Sequence, residues 1–336
     1  MIEAALSDQE FALFQRLIYK IAGISLSDAK KVLLAGRLMR RLKHHQLSSF
    51  GEYYQLIASE QHPEELQTMV DLLTTNETYF FREPKHFEFL RDELLPRRAA
   101  EQTFRVWSAA SSSGEEAYSI AMTLAETIGL GRWEIVGSDI CTRVLAKATA
   151  GHYAHERTDG IPPGYMRKYC LKGVRAQAGT FLIAPELRQR VRFYQINLMH
   201  PVDAGIGDFD VVFLRNVMIY FDVPTKAKVV HNLMPRLKRG GHLIIGHSET
   251  LTGIVDALAV EHGLDIRGFK ETSHVVALMY GQLDAQASLN GICDAAQVHE
   301  AEWRRIRGAQ PPRRNTFSNA NRHRDPHPRR PHRHTD

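Results

Sequence analysis

The chain has 336 residues, 43% apolar and 24% charged, an ordinary globular composition at a length that suits about two domains; it holds no apolar run of bilayer length and no secretion-signal core in Met1–Glu10. Cys141, Cys170 and Cys293 lie far apart without metal-ligand spacing, which fits reduced thiols in the cytoplasm and not a disulfide framework. The net charge of +5 hints at nucleic acid, but residues 301–336 carry ten arginines against three acids, a balance of +7 that leaves the first 300 residues at −2.

Residues 1–75 read as a helical domain. Ser7 or Asp8 caps a helix bearing Phe11, Phe14, Leu17, Ile18 and Ile21, and Gly23 ends it. Ser27 or Asp28 starts a second helix, with Val32, Leu33, Leu38 and Leu42 on one side. A third carries Phe50, Tyr53, Tyr54 and Ile57. A fourth follows Pro63, with Leu66, Met69, Val70 and Leu73.

From Phe104 strands alternate with helices. Phe104–Ala109 is an apolar strand, followed by a small-residue turn and a helix over Glu115–Ile128. Trp133–Ser138, Asp210–Leu214 and His242–Gly246 are further strands, and Val275–Met279 a late one. Continuous apolar strands separated by helices predict an α/β, doubly wound, largely parallel sheet. The catalytic-type domain spans 76–285. Within it, residues 151–195 break the rhythm with glycines, prolines and short β-like pieces, Phe181–Ile183 and Val191–Tyr194, and read as a small inserted antiparallel β-subdomain. Residues 286–336 read as a disordered basic His/Arg/Pro-rich tail that cannot bury enough surface to fold. Solvation is the plain reading of that tail, with nucleic-acid or membrane-surface contact as the alternative.

Four stretches carry chemistry. In Val106–Glu116 a buried strand runs into small residues and a helix start. Small side chains let a nucleotide-type ligand approach the backbone, but the GxGxxG of dinucleotide sites is missing and Glu115 and Glu116 would repel a pyrophosphate. They suit a ligand with cationic character, such as S-adenosylmethionine; the alternative is acids complementing a helix dipole. Asp139 ends the second strand, 25 residues after Gly114, where an acid accepts ribose hydroxyls or merely caps a helix. Asp210–Phe221 delivers Arg215 and Asn216 at a strand's carboxyl end, with Tyr220 four residues on; Arg215 is either a site residue or a structural ion-pair partner. Thr74–Glu83 joins the two domains and is either a ligand-site wall or a hydrogen-bonded linker.

Taken together, Asn76-Glu77-Thr78 with Phe80-Phe81-Arg82-Glu83, the VWSAASSSGEE run, Gly137-Ser138-Asp139-Ile140, Asn197-Leu198, the RNVMIYF run and Gly246-His247-Ser248-Glu249 resemble the chemotaxis receptor methyltransferases, in order, from about Asp8 to Tyr280. The resemblance implies a Rossmann-like class I S-adenosylmethionine-dependent methyltransferase domain with an N-terminal helical domain and an inserted small antiparallel β-subdomain. It implies that Asn76, Thr78 and Arg82 line the cofactor or acceptor site. Glu116 and Asp139 would divide the cofactor's amino-acid and ribose portions between them. Asn197, Leu198, Arg215 and Asn216 would close over its adenine and methionine portions, and Tyr220 would lie near the transferred methyl. Ala117 departs from the family, which has Pro after the paired glutamates; Pro there pre-organises the turn but does no chemistry.

The implied reaction is methylation of glutamate side chains of chemoreceptors in chemotaxis adaptation, leaving S-adenosylhomocysteine. A carboxylate is already ionised at neutral pH and needs no general base. Catalysis is then positioning and partial desolvation, with Arg82 orienting the acceptor carboxylate and Tyr220 beside it. Lys30, Lys31, Arg37, Arg40 and Arg41 on the second helix make a basic face suited to the acidic methylation helices of a receptor, against the plainer reading of a solvated face. The β-subdomain is a receptor-tail or partner contact by resemblance, through β-augmentation at an edge strand. No metal is expected, since His323, His327, His332 and His334 lie in the disordered tail without preformed geometry. Nothing requires more than a cytoplasmic monomer. Two rival functions remain: a methyltransferase acting on a small molecule or nucleic acid, and a non-catalytic module that binds S-adenosylmethionine or S-adenosylhomocysteine and signals.

Overall fold

Ser7 accepts a hydrogen bond from the Glu10 amide, and the Glu10 carboxylate accepts one from the Ser7 amide. This reciprocal cap starts helix α1 (Asp8–Ala22), and Gly23, at φ 70°, stops it. In the computed structural model, which describes residues 5–59, 61–251, 254, 264–265 and 277–280, three more helices complete the first unit: α2 (Lys31–His44), α3 (Phe50–Ala58) and α4 (Pro63–Leu73). Their core joins Phe14, Ile18, Leu34, Leu38, Leu42, Phe50, Tyr53, Ile57 and Met69. The buried stripe of α2 is Leu34, Leu38 and Leu42, four apart. Val32 and Leu33, expected on the inner side, are 83% and 42% exposed, because the stripe is rotated by one to two residues from that assignment.

After α5 (Lys85–Phe89) and a following π turn, the sheet begins in its middle. Strand β1 (Phe104–Ser108) leads through α6 (Glu115–Ile128) to β2 (Trp133–Asp139), then through α7 (Thr142–Ala150) and the inserted piece to β6 (Val191–Gln195). The chain then returns to the other side of β1 with β7 (Phe209–Leu214), α10 (Val223–Leu233) and β8 (Leu237–Ile245). Strands β6, β2, β1, β7 and β8 are parallel neighbours; β10 (Ala277–Tyr280) joins β8 antiparallel, with β9 (Leu264–Asp265) beyond it. Alternate residues face opposite layers: Val106, Ile135, Val211 and Phe213 pack with α6, whereas Trp107, Val136, Val212 and Leu214 pack with α10. The winding reverses between β1 and β7, so the crevice outside their carboxyl ends is the place for a ligand.

The inserted piece holds β3 (His152–Ala154), α8 (Tyr165–Tyr169), β4 (Cys170–Lys172), β5 (Thr180–Ile183) and α9 (Pro185–Arg188), with an antiparallel sheet ordered β3-β5-β4. Val191–Tyr194, expected in that antiparallel piece, instead belongs to β6, the parallel edge strand beside β2. A five-residue apolar-polar run specifies a strand but not its partner, and the pairing is set by Phe193 seating over Gly137, where a Cβ would fall 2.4 Å from the ring. The strand expected over His242–Gly246 starts earlier, at Leu237, and runs through the Gly240-Gly241 pair. Among the described residues no helix is long and apolar enough to cross a membrane. The expectations for residues 286–336, including Cys293 and the four tail histidines, lie outside the described residues.

Candidate active site

The strand β1 ends at Ser108, and a turn of Ala109–Ser113 swings the chain into α6. Gly114 begins that helix at φ 94°, with Ala148 so close that an added Cβ would lie 2.9 Å from its Cβ. The turn is fastened to the end of β2: the Ser111 amide donates to the Ser138 carbonyl at 2.7 Å, and the Ser112 amide to Asp139 Oδ2 at 2.9 Å. Asp139 Oδ1 accepts from the Cys141 amide, also at 2.9 Å. Burial pushes the Asp139 carboxyl up, against the pull of these amides.

The second wall comes from β7. Arg215 is buried and donates to Glu116 Oε2 at 2.9 Å and to Glu83 Oε2 at 3.0 Å. Asn216, in the left-handed region at φ 56°, donates to Glu83 Oε1 at 3.0 Å, and the His247 amide donates to Glu83 Oε2 at the same distance. Burial works to raise Glu83, but the hydrogen bond from Asn216 and the charge of Arg215 outweigh it and hold its carboxyl at about 2. Burial dominates for Glu116, whose carboxyl is pushed up despite Arg215 and the Ser108 hydroxyl. Glu249 clasps the next turn by accepting amides of Asn216, Met218 and Gly246.

The third wall is the segment leading out of α4. Phe81 and Glu83 both adopt positive φ, 54° and 57°, a conformation that side chains with a Cβ rarely hold. The strain is held by burial of Phe80 and Phe81, by the Phe81 amide donating to Ser119 Oγ, and by Glu83's four partners. This places Arg82 at the rim. Its guanidinium donates to the Glu77 carbonyl at 3.0 Å and lies 5.7 Å over the Tyr79 ring, with no carboxylate partner among the described residues.

These walls line an open cleft whose empty space, its solvent mouth included, is about 930 Å³. Asn76, Thr78, Arg82, Glu116 and Asp139 line it, as do Asn197, Leu198, Arg215, Asn216 and Tyr220, so the ten residues expected at the cofactor and acceptor site line one space. Ile140 and Ile196 add apolar walls, and Ala22 and Ile24 bring the helical unit into the lining.

The models of the CheR methyltransferase all-alpha domain and the CheR methyltransferase SAM binding domain match residues 9–74 and 76–263. The chain belongs to the CheR methyltransferase family. It is 45% identical over 250 residues to the chemotaxis protein methyltransferase of Escherichia coli (strain K12), covering 74% of this chain and 86% of that one. It is 41% identical over 243 residues to chemotaxis protein methyltransferase 2 of Pseudomonas aeruginosa, covering 72% of this chain and 86% of that one. The class I S-adenosylmethionine-dependent methyltransferase fold, with an N-terminal helical unit and a small antiparallel sheet, is thus that of a CheR methyltransferase.

Several CheR positions do structural work besides lining the cleft. Asn197 donates to the Ile21 carbonyl at 2.7 Å and accepts from Met199, tying α1 to the sheet. Arg215 is an ion-pair partner and a cleft wall at once, so the two readings of its strand end are not exclusive. Sequence reasoning assigned no role to Glu83 or Glu249. Both stand inside the motifs that carried the resemblance, but their partners lie far along the chain. On α2 the five cations expected on the basic face are unequally engaged within the chain. Arg41 is ion-paired with buried Glu65 at 2.5 Å, Arg37 donates to the carbonyls of Leu73 and Thr74, and Lys31 pairs with Asp8. Lys30 and Arg40 are exposed. Helical spacing showed which cations share a face, not that α4 and the following segment turn toward them.

Proposed function

We propose that this methyltransferase acts in the cytoplasm on glutamate side chains of chemoreceptors, forming glutamyl methyl esters and S-adenosylhomocysteine. The observation that carries this reading is Arg82: a cation at the rim of a cleft whose acids, Glu83, Glu116 and Asp139, are already engaged with Arg215 and backbone amides. A guanidinium whose partners among the described residues are one carbonyl and one ring face suits an incoming carboxylate, which it orients by paired hydrogen bonds.

The chemistry of the donors fits S-adenosylmethionine. Asp139, at the end of β2, has lone pairs left after its two amides and takes the ribose hydroxyls. Ile140, Ile196 and Leu198 offer an apolar slot for the adenine. Glu83, held ionised, offsets Arg215, and Glu116, whose carboxyl burial pushes up, is stabilised in its ionised form by a cationic ligand. Bound there, the cofactor supplies an electrophilic methyl group on a sulfonium. The chain's own part is to orient the acceptor through Arg82, to exclude water with the Tyr220 ring and the apolar walls, and to hold Asn76 and Thr78 beside the acceptor path. No side chain has to take a proton, because the acceptor arrives ionised.

The test is transfer of a tritiated methyl from S-adenosylmethionine to membranes carrying chemoreceptors, followed by mild base. Label released as methanol is the expected result. Cofactor binding by calorimetry with no transfer to receptor would overturn the reading in favour of a binding module.

A further inference from the structure

A second cleft, of about 690 Å³, lies against the other side of the segment that walls the cofactor cleft: both are lined by Thr74, Thr75, Asn76 and Glu77. Four cations face it, Arg37 from α2, Arg143 and Lys147 from α7, and Arg157 from the inserted piece, with Glu77 the one acid. This concentration is not a by-product of a basic chain, because the first 300 residues sum to −2. Two of the four are committed: Arg37 pins the Leu73 and Thr74 carbonyls, and Arg157 pairs with Glu115 at 2.7 Å. Arg143 and Lys147 are not. They stand four apart on one helix face, a like-charge arrangement that is unfavourable by itself, and neither side chain has an ion-pair partner among the described residues. Their helix is rigidly set, since Asp71 on α4 accepts the amides of Thr142 and Arg143 and the Thr142 hydroxyl.

We propose that this basic cleft binds a second carboxylate of the acceptor protein, an acidic side chain neighbouring the one that is methylated. The proposal rests on the methyl-transfer reading and adds a second anchoring point to it. The two clefts share the Thr74–Glu77 segment as a wall, and a helix with acids on successive turns carries neighbouring carboxylates about 5.4 Å apart on one face. A carboxylate seated between Arg143 and Lys147 relieves their repulsion and fixes the register of the acceptor over Arg82.

The experiment uses the full chain and its Arg143→Gln/Lys147→Gln variant. The KM for chemoreceptor membranes should rise about tenfold, equivalent to about 1.4 kcal/mol. The salt dependence of the rate should flatten, and calorimetric affinity for S-adenosylhomocysteine should hold, showing an intact fold. An unchanged KM would overturn the proposal. Independently of turnover, a fluorescent Glu-rich helical peptide should bind the parent chain and bind the variant several-fold more weakly; equal binding would also overturn it. Peptide binding that depends on these two residues, with no methylation of any receptor by the parent chain, would leave the cleft standing and sink the methyl-transfer reading. Displacement of the peptide by submillimolar inorganic phosphate at constant ionic strength would assign the cleft to a free anion instead of the acceptor.

Discussion

Arg215 donates to Glu116 on α6 at 2.9 Å and to Glu83 at 3.0 Å, so one buried guanidinium joins the first helix of the sheet to the strained segment arriving from the helical unit. The planar fork suits two carboxylates at once, which an ammonium cannot serve in the same way. Arg215→Ala would leave two acids facing each other in low dielectric. We predict a loss of about 3–5 kcal/mol of stability and a fall of roughly a hundredfold or more in affinity for S-adenosylhomocysteine. Arg215→Lys should recover part of the stability and less of the affinity. Thermal unfolding and calorimetry measure both. An alanine variant that binds the cofactor product as tightly as the parent would show that the network is purely architectural.

Arg82 calls for a different outcome. Its guanidinium holds one carbonyl and one ring face, so little of the fold depends on it. Arg82→Ala should shift the melting temperature little while lowering kcat/KM for receptor methylation by about a hundredfold, the scale of about 3 kcal/mol of lost orientation. Steady-state kinetics at saturating cofactor tests this. Unchanged turnover would remove Arg82 from the acceptor site.

The sequence made much of this site readable, for local reasons. The small-residue turn, Gly114 and the apolar run over Glu115–Ile128 set the helix start, and the observed α6 has those bounds. Arg215 and Asn216 were visible because polar residues rarely end a buried strand. Long-range pairing was not visible. Glu83 meets Asn216 133 positions away, and nothing in either local sequence marks the pair. The same holds for Val191–Gln195, whose alternation is that of any strand while its partner, β2, is chosen by packing across the sheet. On α2, charge spacing gave a basic face, but whether Arg41 looks outward depends on where α4 presents Glu65.

Glu65 gives a prediction in pH. It is buried and accepts from Arg41, from the Tyr53 hydroxyl at 2.7 Å, and lies 3.0 Å from His45 Nε2. Burial opposes its ionisation, but these partners outweigh burial and hold its carboxyl at about 2 against an ordinary 4.5. A carboxyl depressed on folding contributes stability that is complete above its unfolded value and disappears as pH falls through the folded one. The window is therefore about pH 4.5 down to about 2, and the contribution roughly 3 kcal/mol. Glu65→Gln should melt well below the parent at pH 7, and the two should converge as pH approaches 2. Parallel curves across that range would mean that the cluster does not set acid stability.

Gly36 lies in the middle of α2, exposed, and a Cβ added there would meet nothing within 4 Å. Its backbone is within a regular helix, so the left-handed freedom of glycine goes unused. Glycine in a helix interior is less favourable than alanine by about 0.5–1 kcal/mol, chiefly through the entropy it retains in the unfolded chain. Gly36→Ala should therefore stabilise the protein by about that amount and raise the melting temperature by roughly 1–2 °C. Differential scanning calorimetry reads the shift directly. A lower melting temperature would mean that a methyl group on this open face of α2 is not accommodated as the geometry requires, and the exposed side of α2 would have to be covered by another part of the protein.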